Sequence, residues 1–109
     1  MRKTEQSPNG TSFHDSVIVA TVAQLRKVIG EPDRESNDGQ DKVNFDWVAE
    51  TENGGVFTVY DWKEYRRLSE EEEIEWHIGG HSRAVTEKAV EELEEELIDL
   101  EMDQKYPPK

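Results

Sequence analysis

Cysteine is absent from this 109-residue chain. That excludes disulfides, cysteine-ligated zinc and thiol catalysis, and it fits a reducing compartment. Apolar residues are scarce as well, 33% of the sequence against 36% charged, so the core has to be compact and the chain ends fall outside it. No apolar run approaches the length of a membrane span, and the opening Met1-Arg2-Lys3-Thr4-Glu5-Gln6 lacks the apolar stretch of a secretion signal. Positive charge is the other deficit: 13 Lys and Arg face 26 Asp and Glu, a formal net charge of -13. A surface this negative repels nucleic acid and anionic membrane and favours basic protein partners, although acidic side chains also simply keep a small protein dispersed. These absences imply a single soluble domain in the cytoplasm that binds neither nucleic acid directly nor membrane.

What is present is a pair of aromatic, period-two runs, Val43 to Ala49 and Val56 to Trp62, joined by Glu52-Asn53-Gly54-Gly55. Asn-Gly between such runs signals a β-hairpin, because a tight turn needs residues that tolerate positive φ. With Asn53 and Gly54 as a two-residue loop, Trp47 lies opposite Tyr60, Phe45 opposite Trp62 and Asp46 opposite Asp61. With Gly54 and Gly55 as the loop, Trp47 faces Trp62 and Asp46 faces Lys63. Both registers put all the aromatics on one face, which is then buried under a helix.

Around the hairpin, Phe13 to Ala20 reads as a first strand. Thr21 caps a helix with Val22, Leu25, Val28 and Ile29 at helical spacing, ended by Gly30 and Pro32. Glu31 to Asp41 is a polar loop. Lys63 to Glu73 is a solvated connection, and Ile74, Trp76 and Ile78 alternate along a third aromatic strand that Gly79-Gly80 is expected to break. Ser82 then caps a long helix from about Arg83 to Met102, with Ala89, Val90, Leu93, Leu97 and Leu100 on one stripe. The order β-α-β-β-β-α predicts an α+β domain, an antiparallel sheet with helices packed on one face. It spans residues 13–103, after a disordered lead-in at 1–12 and before a flexible tail at 104–109.

Chemistry-bearing constellations are few. His77 and His81 are separated by Gly79-Gly80, which argues against the helix that would bring both rings to one metal. No nucleophile, base and orienting group stand at a recognisable spacing. The reading is therefore of a non-enzyme without metal or cofactor; the alternative is a small metal- or ligand-binding domain or hydrolase using Asp46, Asp61, His77 or His81. The long helix offers a different kind of surface. Carboxylates four residues apart on a helix stand about 6 Å apart along its axis, close to the phosphate spacing of a nucleic-acid strand. Glu87, Glu91, Glu94, Glu95 and Glu101, with the apolar pair Ile98 and Met102 one turn apart, are thus the candidate partner-binding face for a protein with a basic surface.

The segment Val56-Phe57-Thr58-Val59-Tyr60-Asp61-Trp62-Lys63-Glu64, followed by Glu75-Trp76-His77-Ile78-Gly79-Gly80-His81, resembles a signature of small uncharacterised bacteriophage and prophage proteins. Gln24 to Pro32 and Lys42-Val43 share in the resemblance, which covers roughly Phe13 to Val90. It implies a phage accessory protein working in the host cytoplasm by binding a host or viral protein, as an inhibitor or nucleic-acid mimic. It implies no site residues.

Overall fold

The computed structural model describes residues 1–105. The elements are β1 (Arg2–Lys3), β2 (Ser12–Ala20), α1 (Val22–Val28), β3 (Arg34–Glu35), β4 (Phe45–Glu50), β5 (Val56–Tyr60), β6 (Ile74–Gly80) and α2 (Arg83–Lys105). The fold is α+β: a six-stranded antiparallel sheet ordered β1-β4-β5-β6-β2, with β3 also pairing β4. Two short strands therefore share the outer edge of β4, Arg2 opposite Glu50 and Arg34 opposite Asp46. Arg2–Lys3 lies inside the segment read as a disordered lead-in. Of the expected tail at 104–109, residues 106–109 lie outside the described residues.

Thr21 starts α1 as a full capping box. Its hydroxyl accepts from the Gln24 amide, and the Gln24 side chain accepts from the Thr21 amide, which satisfies two of the free donors at the helix start. Val22 and Leu25 face the sheet and are buried, as are Ala89 and Leu93 of α2. Both helices cover the same face. Beneath them lie Ile18, Ala20, Phe45, Trp47, Phe57, Val59, Ile74, Trp76 and Ile78. The indoles of Trp47 and Trp76 meet edge to face at 5.5 Å, a preferred geometry for aromatic pairs. Their N–H groups donate to the Gly30 and Ala20 carbonyls.

The hairpin register differs from both expected ones. Trp47 is opposite Val59 and Asp46 opposite Tyr60, because the connection is a three-residue loop, Glu52-Asn53-Gly54. The Gly54 amide donates to the Thr51 carbonyl at 2.8 Å, and the Thr51 amide donates to Gly55 at 2.9 Å. Gly54 sits at φ 83, the left-handed position that closes a type I turn of this length. One residue of slip exchanges the faces of a strand. Phe45 and Trp47 therefore stay in the core with Trp76, while Tyr60 and Trp62 move to the face without helices.

The Gly79-Gly80 pair does not end the third strand: β6 runs through Gly80, opposite Ser12 of β2 and Phe57 of β5. These glycines serve close approach instead. A Cβ on Gly79 would stand 2.5 Å from the Thr58 hydroxyl oxygen. The Lys63 to Glu73 connection is also less solvated than its composition implies. Leu68 is buried in the core, held by a reciprocal pair of hydrogen bonds between its backbone and the Asn37 side chain.

Candidate functional site

The sequence places its candidate face on α2. Glu87, Glu91, Glu94, Glu95, Glu101, Ile98 and Met102 are all exposed, Ile98 at 60% and Met102 at 52%. On a helix, residues three and four apart are neighbours, so Ile98 is bordered by Glu94, Glu95 and Glu101. None of these five glutamates makes an ion pair among the described side chains. Glu92 behaves differently from its neighbours and leaves the acidic face. It is buried, pairs with the N-terminal ammonium of Met1 at 2.9 Å and accepts from the Glu52 amide. Lys88 reaches Glu52 at 3.4 Å and Glu92 at 3.9 Å, so the cation in the middle of α2 is turned toward the hairpin loop.

The alternative set, Asp46, Asp61, His77 and His81, is not one site. Asp46 and Asp61 point to opposite faces as a direct result of the register. Asp61 is fully buried and accepts from the Asn44 and Phe45 amides at 2.8 Å each and from the Asn44 side chain at 3.0 Å. It is a brace for the backbone at the start of β4. His81 is exposed beyond the end of β6. Among the described residues, no three His, Asp or Glu side chains come together as a metal site.

Asp46 and His77 do share the open face, in a row that crosses the sheet: Arg34, Asp46, Tyr60, His77, Val17. One buried Asp46 oxygen has no hydrogen-bond partner among the described residues. Burial first, and the nearby Asp33 charge second, push the Asp46 carboxyl up to about 6. Burial likewise raises the Tyr60 phenol, with Asp46 adding to it, and lowers the His77 imidazole.

A carboxyl held above its unfolded value of 3.8 keeps its proton in the fold while the unfolded chain loses it. Ionisation of Asp46 therefore costs nothing at low pH, and the cost grows as pH rises through the folded value. Asp46→Asn is expected to melt higher than the wild type at about pH 8 and to lose that advantage toward about pH 4. Thermal melts at the two pH values check this; an equal gain at both would mean that the ionised carboxylate is not the source.

The open face also gathers the aromatics that the register expels from the core. Phe13 stacks on His77 at 4.2 Å, and Tyr60 and Trp62 meet edge to face at 6.2 Å. Beside Trp62, at the end of the hairpin away from its loop, lies a groove of about 490 Å³ lined by Arg34, Gln40, Asp41, Lys42, Val43, Trp62 and Tyr65. Neither expected register exposes Trp62, so neither points to this groove. Gly54 read as the third residue of a three-residue loop would have exposed Trp62, but Asn53-Gly54-Gly55 fits the shorter loops equally well.

No helix among the described residues is long and apolar enough to cross a membrane. Comparison with protein-family models, with curated proteins and with solved structures found no match to this chain.

Proposed function

We propose that this chain works by binding: an acidic, phage-type accessory protein whose α2 face engages a basic surface of a host or viral protein in the cytoplasm. One observation carries the reading. Glu94, Glu95 and Glu101 stand outward around the exposed Ile98 and Met102, an apolar anchor with a charged border, and the exposed Glu87 and Glu91 carry the acidic surface on toward the start of α2. Interfaces concentrate their affinity in such anchors, while surrounding charge steers encounter and selects the partner. The roughly 6 Å spacing of carboxylates along the helix supports an inhibitor that takes the place of a nucleic-acid strand. Capture of a basic partner would then release the counterions that the partner's groove and the helix both hold.

The combined substitution Glu87→Gln, Glu91→Gln, Glu94→Gln and Glu95→Gln tests it. These side chains are exposed and off the buried stripe, so unfolding free energy is expected to stay within about 0.5 kcal/mol. Capture of basic proteins from a bacterial lysate is expected to fall about tenfold at low salt, where wild-type capture is strongest. Ile98→Ala with Met102→Ala should weaken capture without changing its salt dependence. Identical partners and identical salt response in the quadruple variant would mean that the acidic face is only a solvated surface.

A further inference from the structure

We propose that the groove beside Trp62 is a binding site for a small planar aromatic anion, its ring stacked on the Trp62 indole and its carboxylate or phosphate held by Lys42 and Lys63. The site is separate from α2 and independent of the function proposed above.

Charge and shape converge there. Most of the described cations are already neutralised: Arg2, Lys3, Arg26, Arg34, Arg66, Arg83 and Lys88 all have carboxylate partners. Lys42 and Lys63, like Lys27 and Arg67, have none among the described residues. Lys42 and Lys63 instead hold their ammonium groups over one ring, 5.9 Å and 5.5 Å from the Trp62 centroid. Two uncommitted cations on a single exposed indole are an uncommon expense in a chain of net charge -13. Asp41 also lines the groove, but it faces Arg34 at 3.4 Å, so the charge left for a ligand is Lys42 in the lining and Lys63 at the Trp62 ring beside it. The -13 field opposes an approaching anion at long range, yet it is screened beyond about 8 Å at physiological salt, and contact with two ammonium groups is a short-range matter.

The walls are built rather than incidental. The Lys63 amide donates to the Lys42 carbonyl at 2.7 Å, which joins the two backbone segments that carry the lysines. Asn44, itself clamped to Asp61, donates to the Arg66 carbonyl at 3.1 Å and accepts from the Gly39 amide at 3.1 Å, tying together the two loops that form the walls. Lys63 and Tyr65 are held at φ 55 and 49, a left-handed conformation that non-glycine residues rarely adopt and that concentrates at binding sites. The volume, about 490 Å³, lies in the range of small-molecule pockets and suits one ring system with an acidic group. Stacking on an aromatic face together with a charge-assisted hydrogen bond is the combination these residues offer. A nucleoside monophosphate and a simple aromatic acid both have that chemistry.

Trp47 and Trp76 are fully buried while Trp62 is 40% exposed, so the Trp62 indole N–H resonance in a ¹H–¹⁵N spectrum reports on the groove alone. The full chain is titrated with adenosine 5′-monophosphate, 1-naphthoate, adenosine and inorganic phosphate. Saturable movement of the Trp62 resonance by the monophosphate or by naphthoate is expected, with adenosine and phosphate each about tenfold weaker or more, the size of one lost charge-assisted contact. Response to the monophosphate alone assigns a nucleotide; response to naphthoate assigns the wider class of aromatic acids. Lys42→Gln with Lys63→Gln should keep the folded spectrum and weaken the responding anion about tenfold, leaving adenosine unchanged. Failure of both anions to move Trp62, or equal binding by the double variant, overturns the proposal.

Discussion

Asp61→Ala is expected to lower the unfolding free energy by about 3 kcal/mol or more, because each buried donor left without an acceptor costs about 1–3 kcal/mol. Asp61 is 0% exposed, and its two oxygens take the Asn44 amide, the Phe45 amide and the Asn44 side chain. Alanine strands all three donors where β4 begins. The damage should spread, since Asn44 also holds the Arg66 carbonyl and the Gly39 amide. Asp61→Asn keeps one acceptor oxygen and should lose less. Chemical denaturation of both variants gives the measurement. An alanine variant as stable as the wild type would mean that Asp61 faces solvent.

The second large effect concerns the tryptophans. Trp76 is fully buried, meets Trp47 at 5.5 Å and Phe45 at 6.2 Å, and donates to the Ala20 carbonyl at 2.9 Å. Trp76→Ala removes the centre of this cluster and leaves a cavity, a change that typically costs about 3–5 kcal/mol. Trp62→Ala should cost less than about 1 kcal/mol, because Trp62 stands on the open face, 40% exposed. The contrast is the informative part. A hairpin with every aromatic on one face would make the two substitutions comparably severe, and denaturation midpoints distinguish the cases.

Most of the architecture is legible because its signals are local. Val17-Ile18-Val19 announces β2, Thr21 announces the start of α1, and the Ala89 and Leu93 stripe announces which side of α2 packs. The register was not legible, since Asn53-Gly54-Gly55 supports several loop lengths and only packing selects one. That single residue of slip explains every misplaced side chain on the hairpin: Tyr60 and Trp62 leave the core, and Asp46 and Asp61 part company. Other features depend on distant segments and have no local sign. The Glu92 contact with Met1 joins the start of the chain to the middle of α2, and the Asn37 contacts bury Leu68. The positive φ of Lys63 and Tyr65 could not be anticipated either, because neither residue type favours that conformation.

The candidate sites divide along the same line. The exposed glutamates of α2 follow from helical periodicity alone, and the structure places each of them outward. The groove beside Trp62 follows from the register and from two loops that meet only in the folded chain. The two surfaces differ in sign as well as position, one a field of carboxylates and the other a pair of uncommitted lysines on an indole.

The division of the sheet into a buried aromatic face and an open one is the claim from which these placements follow. It is tested most directly by ¹⁹F spectra of the chain labelled with 5-fluorotryptophan, recorded with a soluble paramagnetic agent and assigned with Trp62→Phe. One of three resonances should broaden, and it should be the one missing from the Trp62→Phe spectrum, while those of Trp47 and Trp76 stay sharp. Three protected resonances, or broadening of either core tryptophan, would contradict the three-residue loop and the open face built on it.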